Sequence, residues 1–321
     1  MKQQYMLPLD QNTIINFLFY SFFYLLFAVP LTLSYRTTRV MNFAHANFIT
    51  YGAYVAVFLN GLLGNQSLLL SCLLAFLVSG TLAVASHIFV FKPLSDRGAS
   101  MSLIMIASMG LWIMYNYVLY MLADIAHALS GVNFVSYGRI LYNDVPEITI
   151  GGLRLSGGFI AVLVAAVGMV VFLYFFLNKT SLGKAMRAVA DNPVLAEISG
   201  IPRNKVITVT WLITGGIVGI GGAIWTSFSG TVTPTTGDAM ILQVFTVAFI
   251  GGLVSLVKTG IGAFVIALIE NVGISFLNAW FGVPTSFRTF LTFVTLIVIL
   301  IAFPPLGAAG GLPFRYRRKR G

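Results

Sequence analysis

Of the 321 residues, 58% are hydrophobic and 9% charged, where ordinary soluble domains carry about 25% charged residues, so a water-soluble globular fold is excluded. The length fits one all-α polytopic bundle of eight or nine transmembrane helices of roughly 20 residues each and excludes a separate soluble domain, so any soluble catalytic part must come from another chain. The net charge of +10 is a question of topology, and the single cysteine, Cys72, permits no intramolecular disulfide and reads as a packing residue.

Met1 to Tyr35 carries one lysine and Asp10 before a long apolar run and shows no Ala-x-Ala cleavage signature, so it reads as a first membrane segment rather than a removable signal. Apolar windows of about 19 residues predict segments at about 14–34, 44–62, 68–91, 101–123, 156–177, 207–228, 239–257, 260–278 and 286–303. The second is the irregular one. Asn42, His45, Asn47 and Gly52 make its start polar, as in a re-entrant or broken helix, whereas the other eight read as ordinary spans. Gly215, Gly219 and Ala223 recur every fourth residue, as do Ala263 and Ala267, which predicts close helix packing.

Between 178 and 206 the chain turns polar, a handle for something soluble. If this stretch is cytoplasmic, alternation across nine crossings places Arg36, Arg39, Lys92, Arg97, Lys179, Lys184, Arg187, Arg203, Lys205, Lys258 and the tail Arg315, Arg317, Arg318, Lys319 and Arg320 inside. Only Lys2, Arg139, Arg154 and Arg288 fall outside. The expected topology is N-terminus out and C-terminus in. The basic tail, 312–321, reads as an anchor against anionic lipid rather than a nucleic-acid contact.

No Cys/His cluster has metal-ligand spacing, so no metal is expected, and neither a Gly-x-Ser-x-Gly elbow nor a His-Glu-x-x-His helix occurs, so no catalytic residue is assigned. Gly252-Leu-Val-Ser-Leu-Val-Lys-Thr259 has a P-loop's spacing, but Val257 stands where a phosphate cradle needs glycine. The chain is expected to bind no cofactor itself, and energy from ATP would have to arrive through a partner.

Polar residues inside a bilayer are costly and point to function. Glu270, followed by Asn271, lies near the middle of its segment with no basic residue on that helix; it lines a wet pathway, pairs with a neighbouring helix, or is protonated. Asn42, His45 and Asn47 either face a cavity or hold a broken helix in place. His87, beside Lys92, reads as interfacial, and Gln243, Asn278 and Asp238 as local hydrogen bonding or the outer mouth.

Met41-Asn-Phe-Ala-His45 followed by Gly52-Ala-Tyr54 resembles the opening motif of the integral permeases of branched-chain amino-acid ABC importers, the Liv-type family. Phe91-Lys-Pro-Leu94, Ile106-Ala-Ser-Met-Gly110, Ser181 to Pro193 with Ala196 and Gly200-Ile201, and Phe249-Ile-Gly-Gly252 agree in order and spacing, over about residues 30 to 275. The resemblance implies a permease, not an enzyme, in a bacterial cytoplasmic membrane. It would be completed by a second similar permease, driven by two cytoplasmic ATPase subunits that bind the ATP, and supplied by a periplasmic binding protein. The stretch 178–206 would be the coupling loop, with Gly183 and Gly200 shaping its turns and Arg187, Asp191 and Glu197 offering polar contacts. Ala46 and Asn47 depart from the family's Gly and acidic residue, and Leu253 to Lys258 departs from its late Gly-rich block. Urea or short amides therefore stand beside branched-chain amino acids as cargo. An ion-coupled secondary transporter is the alternative class, and an inverted repeat between the halves would favour it.

Overall fold

The computed structural model describes residues 11–145, 147–150 and 153–302; Lys2 and the basic tail 312–321 lie outside them. Thirteen α-helices follow in order among the described residues. α1 (Gln11–Thr38) is buried along most of its length and carries Pro30. α2 (His45–Leu63) comes next, and then α3 (Leu68–Ser86), which passes through a π turn at His87–Phe91 into α4 (Lys92–Asp96). α5 (Met101–Ser130) and α6 (Gly157–Lys179) precede two short helices, α7 (Ser181–Asp191) and α8 (Pro193–Ile198). The remainder comprises α9 (Arg203–Trp225), α10 (Asp238–Ile250), α11 (Leu256–Ala267), a second π turn at Leu268–Gly273, α12 (Ile274–Phe281) and α13 (Arg288–Ala302).

Local chemistry sets these boundaries. Ser67, Ser100, Ser156 and Ser255 each accept a backbone N–H of the first turn of the helix they precede, satisfying a donor that otherwise has no partner. Gly64, Gly131 and Gly282 close α2, α5 and α12 in the left-handed conformation. Two antiparallel pairings cover one face: β1 (Tyr137–Gly138) with β4 (Thr231–Val232), and β2 (Ile148–Ile150) with β3 (Leu153–Leu155).

Among the described residues eight helical stretches are long and apolar enough to cross a membrane, and the chain is a multi-pass membrane protein. The seventh predicted segment, 239–257, is not an ordinary span: α10 has 13 residues, about 20 Å, against a hydrocarbon core of about 30 Å. The apolar pattern continued past Ile250, but the chain turns there, with Gly252 and Leu253 both at positive φ. The irregular start of the second segment is present. His45, which opens α2, meets the backbone of α1 at Phe27, roughly 16 Å along α1 from its end at Thr38.

α10 is therefore a half-helix, and α2, though long enough to span, starts inside the bundle; each is preceded by a non-helical stretch. Residues 39–44 return into the bundle from the face that carries α7 and α8; residues 226–237 return from the opposite face, where β1 and β4 pair. With α10 included, nine passages are made among the described residues. The order helix, returning stretch, helix, π-interrupted helix, helix occurs twice, in 11–130 and in 203–302. Phe19 and Phe23, in the first half of α1, pack on Phe228 and Trp225 at the end of α9, with ring centroids 3.7 and 5.0 Å apart. This recurrence of element order does not by itself select the secondary-transporter class.

The small-residue stripe does the packing expected of it. Gly215 and Gly219 lie against α3 at Ser79 and Ala75, and Gly52 of α2 abuts Gly219. Ala263 and Ala267 are fully buried.

Candidate translocation and coupling sites

α2 and α10 meet N-terminus to N-terminus inside the bundle. Gly237, just before α10, donates its N–H to Thr50 Oγ1 of α2 at 2.9 Å, and its Cα lies so close that a Cβ would stand 2.0 Å from the Ala46 carbonyl oxygen. His45 donates from Nε2 to the Phe27 carbonyl at 2.9 Å; a carbonyl can only accept, which fixes the tautomer. That carbonyl neighbours the turn of α1 that Pro30 opens by removing an N–H. His45 thus holds the broken helix against α1.

A polar relay crosses the same level. Asn47 donates to Asn116 Oδ1 at 2.6 Å, Asn116 donates to Asp238 Oδ2 at 2.9 Å, and Trp112 Nε1 donates to Asp238 Oδ1 at 2.6 Å. Asp238 opens α10, where a helix N-terminus favours negative charge. It stays half-exposed, beside the outward-facing Met109 and Ile113 of α5. Asn42 Oδ1 accepts from Ala44 N at 3.0 Å, while Asn42 Nδ2 and Asn47 Oδ1 are buried without a partner, leaving hydrogen-bonding capacity at the junction.

Glu270 lies in the second π turn, away from this relay. The hydroxyls of Tyr24 on α1 and Thr292 on α13 each donate to one of its oxygens. It pairs with neighbouring helices and also borders a cavity of about 370 Å³ lined by Asn271, Asn16, Ser275 and Arg288. Arg288 donates to the Tyr20 hydroxyl at 3.1 Å and lies over its ring, bringing a positive charge to a cavity wall that holds a carboxylate.

The polar stretch 178–206 folds as two short helices. Thr180 caps α7, accepting from Gly183 N at 3.0 Å; Asn192 caps α8, accepting from Leu195 N at 3.0 Å, and Pro193 opens that helix. Gly200 has φ +82° and closes α8, so its turn is where the sequence put it. Gly183 is different. It lies inside α7, where a Cβ would stand 2.1 Å from the Phe176 carbonyl oxygen, so it permits a close crossing of α6 rather than a turn.

Two charged groups of this stretch are engaged within the chain. Arg187 donates to Asn178 Oδ1 at 2.9 Å, and Asp191 pairs with Arg36 of α1 at 3.3 Å, whereas Glu197 is exposed on α8. What protrudes instead is apolar: Val194, Leu195 and Ile198 are 66%, 59% and 77% exposed on one side of α8. Spacing of i, i+1 and i+4 puts all three on one face.

The family model described as "Branched-chain amino acid transport system / permease component" matches residues 13–300. The chain belongs to this family. A probable branched-chain amino acid transport permease protein LivH of Methanocaldococcus jannaschii is 29% identical over 91% of this chain and 90% of its own length. The high-affinity branched-chain amino acid transport system permease protein LivH of Salmonella typhimurium is 23% identical over 88% and 89%. The ribose import permease protein RbsC of Bacillus subtilis is 32% identical over 46% of each chain. No solved structure matches.

Sequence reasoning singled out Glu270, His45 and Asn47 because polar residues stand out in hydrocarbon. It ranked Asp238 low and did not name Val194, Leu195 and Ile198, since apolar spacing on a short helix reads as core. Their signal was an apolar triplet in the one polar stretch of the chain.

Proposed function

We propose that this permease forms half of the transmembrane pathway of an ATP-driven importer for branched-chain amino acids in a bacterial cytoplasmic membrane. A second, homologous permease completes the pathway, two cytoplasmic ATPase subunits drive it, and a periplasmic binding protein delivers the cargo. α7 and α8 face the cytoplasm, which puts the N-terminus out and the C-terminus in. The observation that carries the reading is the exposed Val194, Leu195 and Ile198 face of α8, an apolar surface presented outside the membrane passages that suits insertion into a cleft on a soluble subunit. Arg187 and Asp191 hold α7 to the bundle, so motion of the docked helix is passed to α6 and α1.

The pathway follows the face where Asp238 stands half-buried. A carboxylate within the membrane is tolerated against protein or water and not against lipid, so this face turns toward the second permease. An amino acid's ammonium group is the cation it would meet. Docking of ATP-closed ATPases would then shift a two-state equilibrium between outward and inward access.

The test is co-purification of the tagged chain with its ATPases and second permease, followed by ATP-dependent uptake in proteoliposomes. Leucine uptake that urea does not inhibit, lost in Ile198→Asp with the subunits no longer co-purifying, supports the proposal. Uptake of urea in place of leucine redirects the cargo, and uptake by the chain alone on a proton gradient overturns the ATP-driven reading.

A further inference from the structure

On the face that carries α7 and α8, the ends of three helices enclose a small cavity. It holds about 40 Å³, room for a few waters or one small oxyanion. Three nitrogens line it without a hydrogen-bond partner: His87 Nε2 from the first π turn, Trp211 Nε1 from α9, and Arg203 Nε from the first residue of α9. Trp211 is 1% exposed and His87 6% exposed, so neither can turn to bulk water. They are held as a stack, with the His87 and Trp211 ring centroids 6.1 Å apart and 15° between planes, and Phe91 on Trp211 at 5.2 Å.

Orphaned buried donors are uncommon, and three meeting in one cavity call for an acceptor. Trp211 can only donate, the Arg203 guanidinium is charged and only donates, and His87 donates in its Nε2–H tautomer. α9 adds the positive end of a 23-residue helix whose first N–H groups receive no side-chain cap from Pro202. The one carboxylate on the rim, Asp96, is offset by Lys92 at 3.9 Å. Thr38, at the end of α1, closes the third side, its hydroxyl donating to the Ser34 carbonyl at 2.7 Å.

We propose that this cavity is a binding site for a phosphate oxyanion, held by Trp211, His87 and Arg203. Its position at the helix ends is the depth at which a bilayer carries its headgroup phosphates, so the phosphate can come from an anionic lipid or from solution. Occupancy ties the end of the first π-interrupted helix to the start of α9, the helix that leaves the α7–α8 segment.

The full chain in detergent, stripped of lipid, is melted across a titration of inorganic phosphate against chloride at constant ionic strength. In parallel, native mass spectrometry scores lipid retained from phosphatidylglycerol and from phosphatidylcholine nanodiscs. A saturable rise in melting temperature with phosphate identifies the solution source; selective retention of phosphatidylglycerol with no such rise identifies the lipid source. In either arm Trp211→Phe, which keeps the stack and removes one donor, weakens binding about tenfold, the loss of one charge-assisted hydrogen bond. Arg203→Gln, on the half-exposed rim, does the same and serves if Trp211→Phe does not fold, while Lys184→Gln on the same face leaves binding unchanged. Absence of a response in both arms, or equal binding by wild type, Trp211→Phe and Arg203→Gln, overturns the site.

Discussion

At the α2–α10 junction the chain satisfies itself; on the α7–α8 segment it does not. Where α2 and α10 meet, Gly237, Thr50, His45, Asn47, Asn116 and Asp238 find most of their partners within the same chain, across elements far apart in sequence. On α8, three large apolar side chains have water on one side. The first region is where a substitution should unfold the protein, the second where it should leave the fold intact and stop the work.

The largest loss of stability is expected around Glu270. Glu270→Ala strands the buried Tyr24 and Thr292 hydroxyls, at a cost of about 1–3 kcal/mol for each. Circular dichroism melts of the detergent-solubilised protein measure it, and an unchanged melt would show that Glu270 is not part of the self-satisfied interior. Gly237→Ala comes next, at about 1–3 kcal/mol, because its methyl collides with the Ala46 carbonyl and pushes α2 and α10 apart.

Asp144 gives a smaller, pH-dependent effect outside the membrane passages. Its carboxylate accepts from Ser67 Oγ and the N–H groups of Leu68 and Leu69 at 2.9 to 3.0 Å, capping α3. Partial burial pushes its carboxyl up, and these bonds outweigh that and hold it below the usual carboxylate range. A depressed folded value means the stabilisation is complete at neutral pH and is lost as pH falls below about 4. Asp144→Asn should cost about 0.5–1 kcal/mol at pH 7, discounted for water screening, and progressively less as pH falls below about 4; a melting difference that does not shrink toward acid pH would contradict the ionised cap.

Ile198→Asp sits at the bottom of this scale, within about 0.5 kcal/mol of wild type in melting. Its ATP-dependent uptake should nonetheless fall at least tenfold, as read in proteoliposomes. A destabilised Ile198→Asp protein would erase the contrast between the two regions.

The fold was legible where hydropathy and polarity speak directly. Long apolar windows located the spans, and Asn42, His45 and Asn47 announced a broken helix because hydrocarbon tolerates such a cluster only at an irregular backbone. The shortness of α10 was hidden, since Phe249 to Leu256 stays apolar while the backbone turns at Gly252 and Leu253. In the polar stretch 178–206, charge drew attention to Arg187 and Asp191, which contact the chain's own α6 and α1. A charged side chain advertises itself in sequence, but whether its partner lies inside or outside the chain is a matter of geometry.

Thr50 and Gly237 are 187 positions apart in the chain. While the first repeat is being inserted, the stretch leading into α2 is therefore a wound in the bilayer that only a late segment can dress. α10, too short to hold a transmembrane position alone, needs the same contact from its own side. Each broken helix is the other's chaperone, and membrane assembly of this protein must end, rather than begin, at its centre.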